Sequence, residues 1–322
     1  MVRCVTNHGS LYFGDGNVAL LAPKSLTHFI AFRVHRTLIS KMSSVFENLF
    51  TSPEAETEVY EGVPLVYLTD DADGLESLLQ LLYHDMDLPL RQLNPHTLCL
   101  LRSLLGLADK YAMHQIRQNL VGQIEESWPL TLRQWDHQES RINTMLLISR
   151  GDLDVASSLD DWFPEPASAI QLARECNIPA ILPAAFYHLS RLSIDDDWGK
   201  TYLGYTLDTG RTAQWSLLTA DDLRCLLKGQ TRLRQAPQEL LKFTSCRTSE
   251  CFGFCSTEKL SRLLTEIQDK CDRSSDILRV TREYIEKSYG DEICFQCCWG
   301  IRRDLGTFRH KLWAGLRDFF SL

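Results

Sequence analysis

The sequence predicts an α+β domain followed by a mostly α-helical domain. Three observations carry that expectation. Short apolar runs separated by turn residues fill positions 10–34, apolar residues at three- and four-residue steps begin at Leu38, and one more strand-like run, Val63–Leu68, sits between helical segments. Strands, a helix pair, a strand and then helices make an α+β order. At 322 residues the chain exceeds the roughly 100–200 residues of one domain. Trp128-Pro129 marks the break, with residues 1–128 as the α+β domain and 129–322 as the helical one.

Leu11-Tyr12-Phe13 and Val18-Ala19-Leu20-Leu21 flank Gly14-Asp15-Gly16-Asn17, which reads as a β-hairpin whose turn uses Gly16 at positive φ. A phosphate-binding reading of Gly14-x-Gly16 fails, because no third glycine opens a helix behind it. Phe29–Val34 is the third strand. Leu38, Ile39, Met42, Val45, Phe46, Leu49 and Phe50 then predict helix, broken near Ser43, whose hydroxyl is suited to cap a second short helix. Val63–Leu68 is a strand, and Leu75–Tyr83, Leu98–Tyr111 (opened by Pro95) and Met113–Glu126 are helices.

These residues carry a family resemblance. Phe32-Arg33-Val34-His35-Arg36 with Leu38, Ser43 and Phe46 resembles the BTB/POZ signature, in which an extended F-x-V-H-[RK] enters a helix pair. Leu78–Tyr83 is similar to the family's helix ending in leucine-tyrosine, and Ala108-Asp109-Lys110-Tyr111 to its A-D-K-Y helix. The resemblance spans about 120 residues and implies a small sheet wrapped by helical hairpins, used for dimerisation and partner binding. It makes His35 a core histidine leading into the helix. A catalytic reading of His35 lacks a cooperating carboxylate or nucleophile.

The resemblance also implies interface residues. Arg36 matches the basic residue of a dimer-interface pocket in repressor-type relatives; the acidic partner there comes from an Asp-Val strand. Here Asn17-Val18 stands at that place, with Asp15 two residues earlier, a departure that counts against the same dimer chemistry. Relatives that recruit cullin ubiquitin ligases carry an apolar-x-Glu motif. The aligned Glu54-Ala55-Glu56 keeps the acid, Glu56, and lacks the apolar anchor.

Residues 129–322 read as helix after a polar, partly helical connector, Arg133–Glu139. Ser168–Glu175, Ala180–Leu192 (with Pro179 in its first turn), Leu223–Lys228 (capped by Thr219 and ended by Gly229) and Ile301–Phe320 are the main segments. Asp195-Asp196-Asp197 is an acidic loop without the later Glu of a calcium-binding EF-hand. Ala169–Leu192 with Leu217–Gly229, above all Ile178–Tyr187, resembles the helical region following the BTB domain in mostly uncharacterised fungal proteins. That likeness implies architecture and no activity. The terminal helix is expected to pack on its neighbours rather than lie on a membrane.

Seven cysteines fall in the last 77 residues. Cys246, Cys251, Cys294 and Cys297 form two short-spaced pairs able to close a structural zinc site, with Cys255 and Cys298 as competing ligands. Small buried thiols are the other reading. Redox catalysis lacks the βαβ context that usually carries Cys-x-x-Cys. The start of the chain has no apolar signal stretch, so the cytosol or nucleus is the expected compartment, not secretion. A net charge of −8 with no Lys/Arg block gives no grip on nucleic acid, and no apolar run is long enough for a membrane. No nucleophile elbow, phosphate loop or paired acids mark an enzyme. The expected function is non-enzymatic protein interaction, through a homodimer or another protein partner. A cullin-ligase substrate adaptor is the alternative.

Overall fold

The computed structural model describes residues 4–52, 58–84, 93–151, 162–198, 211–239, 257–289 and 293–322. The chain divides into two compact units, Met1–Glu126 and Ser127–Leu322.

The first unit is built on a sheet of β1 (Cys4–Tyr12), β2 (Val18–Pro23), β3 (His28–Val34), β4 (Val59–Tyr60) and β5 (Val63–Tyr67) in the order β1-β3-β2-β5-β4. The hairpin expected between the first two strands is not there: β1 runs parallel to β3, and β2 pairs antiparallel with β3 from Val18↔Val34 to Pro23↔Phe29. The Gly14–Asn17 stretch is a crossover, not a hairpin turn, because β3 lies between the strands that it connects. Gly16 is required for another reason than positive φ. A Cβ there would stand 3.0 Å from the Arg33 carbonyl carbon and oxygen, and Arg33 Nε donates to Gly16 O at 2.9 Å. Positive φ is needed instead at Gly62 (+85°), which with Glu61 (+46°) makes the two-residue turn between β4 and β5.

β2 sits centrally, parallel to β5, and Val18–Ala22 are buried. Helices α1 (Arg36–Met42) and α2 (Ser44–Thr51) follow β3, and α3 (Ala72–His84), α4 (Pro95–Lys110) and α5 (His114–Ser127) complete the unit. Ser43 makes the expected break: its Oγ accepts from Phe46 N at 3.0 Å and donates to Tyr111 O at 2.5 Å. Tyr111 stacks on Phe46 at 4.3 Å, while Lys110 Nζ (2.6 Å) and the Tyr111 hydroxyl both bind the Asp70 carboxylate. The A-D-K-Y segment is therefore a clamp that fastens the end of α4 to the segment after β5 and to the α1–α2 break. Removing the cap with Ser43→Ala should cost about 1 kcal/mol, read as a lower urea midpoint for the first unit.

The second unit contains α6 (Leu132–Gly151), α7 (Pro166–Glu175), α8 (Leu182–Ser190), α9 (Ala220–Gln235), α10 (Thr257–Arg273), α11 (Ile277–Glu286) and α12 (Phe295–Phe320) among its described residues. Three expectations are corrected here. Arg133–Glu139 is helical throughout, as the first part of a long helix, rather than a partly helical connector, and its Trp135 is buried. Pro179 lies outside α8; Pro183 occupies that helix's first turn, where a missing amide hydrogen costs nothing. Gly229 does not end α9 but lies within it, where the Phe320 ring packs so closely that a Cβ would fall 1.9 Å from Phe320 Cδ1.

Thr219 does cap α9, in a capping box with Asp222, and of the expected α12 stripe Ile301, Leu305, Phe308, Leu312 and Leu316 are buried, whereas Phe319 is half-buried and Phe320 takes the buried place beside it. α12 packs against α6, α8, α9 and α11.

Charged side chains bind these helices internally. Arg191, just beyond α8, donates to Glu139 of α6 at 2.7 and 2.9 Å and to Asp276, the cap of α11, at 2.6 Å. Its guanidinium lies 4.6 Å from the Trp135 ring centroid. The fully buried Tyr187 hydroxyl donates to Asp276 Oδ1 and accepts from Leu278 N, both at 3.0 Å. Burial pushes the Asp276 carboxyl up, but Arg191 and the bonds from Arg279 N and Tyr187 outweigh it and hold the group below its ordinary value. Burial, with Arg211 and Arg191 nearby, keeps His188 neutral. Arg309 of α12 reaches Asp136 of α6 in the same manner.

Candidate interaction site

The β3–α1 corner gathers the residues singled out in the first unit. His35 ends the extended segment and opens α1 without capping it through its side chain. The Tyr83 hydroxyl, from α3, accepts from His35 N at 2.8 Å and lies 3.0 Å from His35 Nδ1. The opposite ring nitrogen stands 3.3 Å from Asp15 Oδ1, and Phe13 stacks on Tyr83 at 4.7 Å. Desolvation raises the Tyr83 hydroxyl, so it stays a neutral hydrogen-bonding post.

Asp15 therefore meets His35 and not Arg36. The Arg36 backbone N–H donates to Asn17 Oδ1 at 2.8 Å, and its guanidinium lies 5.5 Å from the Phe50 ring centroid. Among the described residues no carboxylate pairs with Arg36. Glu56, with Glu54 and Ala55, lies outside the described residues. Tyr83 and Asn17 are the members of this corner that the sequence reading did not assign. The leucine-tyrosine end of α3 is the available signal for the first, and for the second its place where repressor-type relatives carry the aspartate of the interface pocket.

The hydrogen bond from His35 is the main cause holding the exposed Asp15 carboxyl below its ordinary 3.8. A depressed folded value gives a stabilising contribution that is complete above 3.8 and lost as pH falls through the folded value. His35→Phe should move the Asp15 midpoint back toward 3.8. Carbon-detected titration of its carboxyl reads this, and an unmoved midpoint would uncouple the two groups.

At the sheet's end, β1 presents Cys4, Thr6, Asn7, Gly9 and Ser10 as exposed residues. Its outer edge pairs with no other strand among the described residues. Asn7 and Tyr12 reach across to the β4–β5 turn, with Tyr60 Oη donating to Asn7 Oδ1 at 2.8 Å and the Tyr12 hydroxyl bound to Glu61.

The family model described as BTB/POZ domain matches residues 28–127. The chain carries a BTB/POZ domain. No curated protein matches the chain. The matched stretch holds His35, Arg36 and Tyr83 of the β3–α1 corner, the Ser43 break and the Asp70 clamp; Phe13, Asp15 and Asn17 lie upstream of it with β1 and β2, and the chain beyond it is mostly helical. A BTB/POZ domain is a protein-interaction domain and not a catalytic one, so the corner around His35 belongs to an interaction fold. Among the described residues no helix is long and apolar enough to cross a membrane.

The candidate metal ligands are only half in view. Cys246 and Cys251, with Cys255, lie outside the described residues. Cys294 caps α12, and Cys297 stands in its first turn with its amide donating to Cys294 Sγ at 3.5 Å. Cys-x-x-Cys thus opens a helix, although no strand leads into it. Among the described residues no group of three or more His, Cys, Asp or Glu is gathered closely enough for a metal ion.

Proposed function

We propose that the chain is a non-enzymatic interaction protein of the cytosol or nucleus whose BTB/POZ domain engages a second copy or another protein. The match over residues 28–127 carries this reading. The exposed edge of β1 supports it, since unpaired strand edges are templates for pairing with another chain. The acidic balance supports protein rather than nucleic acid as the ligand.

Native mass measurement of the full chain at micromolar concentration tests the reading, alongside a pull-down with a purified cullin. The expected results are a dimer mass and no cullin retained. Retention of cullin by the wild-type chain would transfer the assignment to a ligase adaptor. A monomer that binds no protein would remove the proposal.

A further inference from the structure

We infer that the outward face of α12 is a docking surface for an acidic protein segment that carries a bulky apolar side chain. Such a role rests on the reading of the chain as an interaction protein and gives the helical unit a partner class of its own. The inner stripe of α12 is packed away, and the opposite side of the helix meets solvent. Phe295, Trp299, Arg302, Arg303, Lys311 and Arg317 all lie exposed there, at spacings built from the three- and four-residue steps that keep side chains on one helix face.

Two independent features mark this face. The first is its charge. Between residues 295 and 317 the only carboxylate is Asp304, which is buried, with one oxygen 3.6 Å from Arg303 Nε. The next exposed acid is Asp318, at the far end. In a chain of net charge −8 that is a local reversal of sign. Other helices of the unit neutralise exposed cations along their own length: Arg224 meets Asp221 on α9, Arg262 meets Glu258 on α10 and Arg279 meets Glu283 on α11. On α12, Arg302 instead donates to the Lys287 carbonyl oxygen at 3.0 Å, a contact that leaves its charge uncompensated. A row of cations of this kind is complementary to carboxylates on a partner.

The second feature is aromatic. Phe295 and Trp299, one turn apart, are 83% and 54% exposed. The Arg303 guanidinium lies 4.9 Å from the Trp299 ring centroid, so ring and cation form one platform. A carboxylate can take the free edge of the guanidinium while an apolar side chain covers the rings. Tryptophan and arginine are the side chains that most often anchor protein interfaces. From Trp299 to Arg317 the face runs about 27 Å at about 1.5 Å per residue, the reach of roughly eight residues of extended chain. A bilayer fits less well. A helix lying in lipid must turn its apolar side outward, and here Ile301, Leu305, Phe308, Leu312 and Leu316 are inside the unit. Nucleic acid would meet the same cations within the field of an acidic chain.

The test follows the fluorescence anisotropy of a labelled twelve-residue peptide, glutamate with leucine at every fourth position, titrated with the full chain in low and in physiological salt. The wild type should bind it, more weakly as salt rises. A glutamine-for-glutamate peptide should bind at least about tenfold more weakly, and an all-glutamate peptide about fivefold. Arg303→Glu with Arg317→Glu should lower affinity by at least about tenfold and Trp299→Ala by about fivefold. Arg262→Glu, which reverses an exposed cation on α10, should change it by less than about twofold. Four results overturn the proposal: no binding, an equal loss in Arg262→Glu, indifference to Trp299→Ala, or tighter binding to phosphatidylserine vesicles or duplex DNA than to the peptide. Should the double variant fail to fold, Trp299→Ala and the control peptides still decide. Failure here with the dimer mass intact removes this surface alone, whereas loss of both removes the interaction reading.

Discussion

Arg191→Met should destabilise the helical unit by about 3–5 kcal/mol, the largest effect expected of any single substitution considered for this chain. The magnitude follows from what the change leaves behind. Arg191 has only 10% of its side chain exposed, Glu139 17% and Asp276 10%, so removing the cation leaves two carboxylates without their counter-charge. Methionine keeps most of the volume under the Trp135 ring, which separates the loss of charge from the loss of packing. The measurement is urea unfolding of the full chain by circular dichroism, following the transition of the second unit. Adding Glu139→Gln and Asp276→Asn should recover much of the loss, because the cost lies in unpaired charge. If the triple variant is no better than the single one, the charge argument is wrong. The pH dependence follows the same logic. Asp276 is held below its ordinary 3.8, so its share of stability is complete above that value and disappears as pH falls through the folded value. The Arg191→Met variant should lack that acid limb.

Gly229→Ala should cost about 1–3 kcal/mol, although alanine is the better helix former by roughly 1 kcal/mol. The Cβ would lie 1.9 and 2.0 Å from two carbons of the Phe320 ring, which is fully buried and stacks on Phe186 at 5.4 Å. The ring has little freedom to retreat: Arg232 Nη1 holds the backbone at Phe319 O (2.9 Å) and the Ser321 side chain at Oγ (3.1 Å). Thermal unfolding of the cycle Gly229→Ala, Phe320→Ala and the double variant tests this. In the Phe320→Ala background the sign should reverse, and alanine at position 229 should stabilise by up to about 1 kcal/mol. An equal loss in both backgrounds would place the cost outside this contact.

These two positions also show where the sequence was legible. The α1–α2 break at Ser43 was readable because a hydroxyl between two apolar helical stripes has one local job. The A-D-K-Y segment was readable as a motif, although its partner Asp70, about 40 residues earlier, was not. Strand order was lost for a physical reason: Gly14–Asn17 has hairpin chemistry, but turn chemistry does not say which strand lies beside which, and β3 occupies the place a hairpin partner would take. The first part of α6 looked like a connector because Asp136 and Glu139 are polar; they are polar because Arg309 and Arg191 meet them inside the unit. Gly229 looked like a helix stop because a glycine that admits a ring and one that ends a helix are the same letter. At the candidate interaction site, His35 and Arg36 were legible through the motif. That Asp15 turns to His35 and leaves Arg36 against Phe50 depends on the crossover geometry, which no local pattern encodes.

The sheet order also bears on how the first unit can be divided. The family match starts at His28, the first residue of β3, so β1 and β2 lie upstream of it. β2 is the middle strand, hydrogen-bonded to β3 on one side and β5 on the other. A fragment trimmed to the matched boundaries would lose the strand that joins β3 to β5 and bare the apolar surface that Val18–Ala22 cover. The minimal folding piece must begin ahead of the matched stretch, at or before β2.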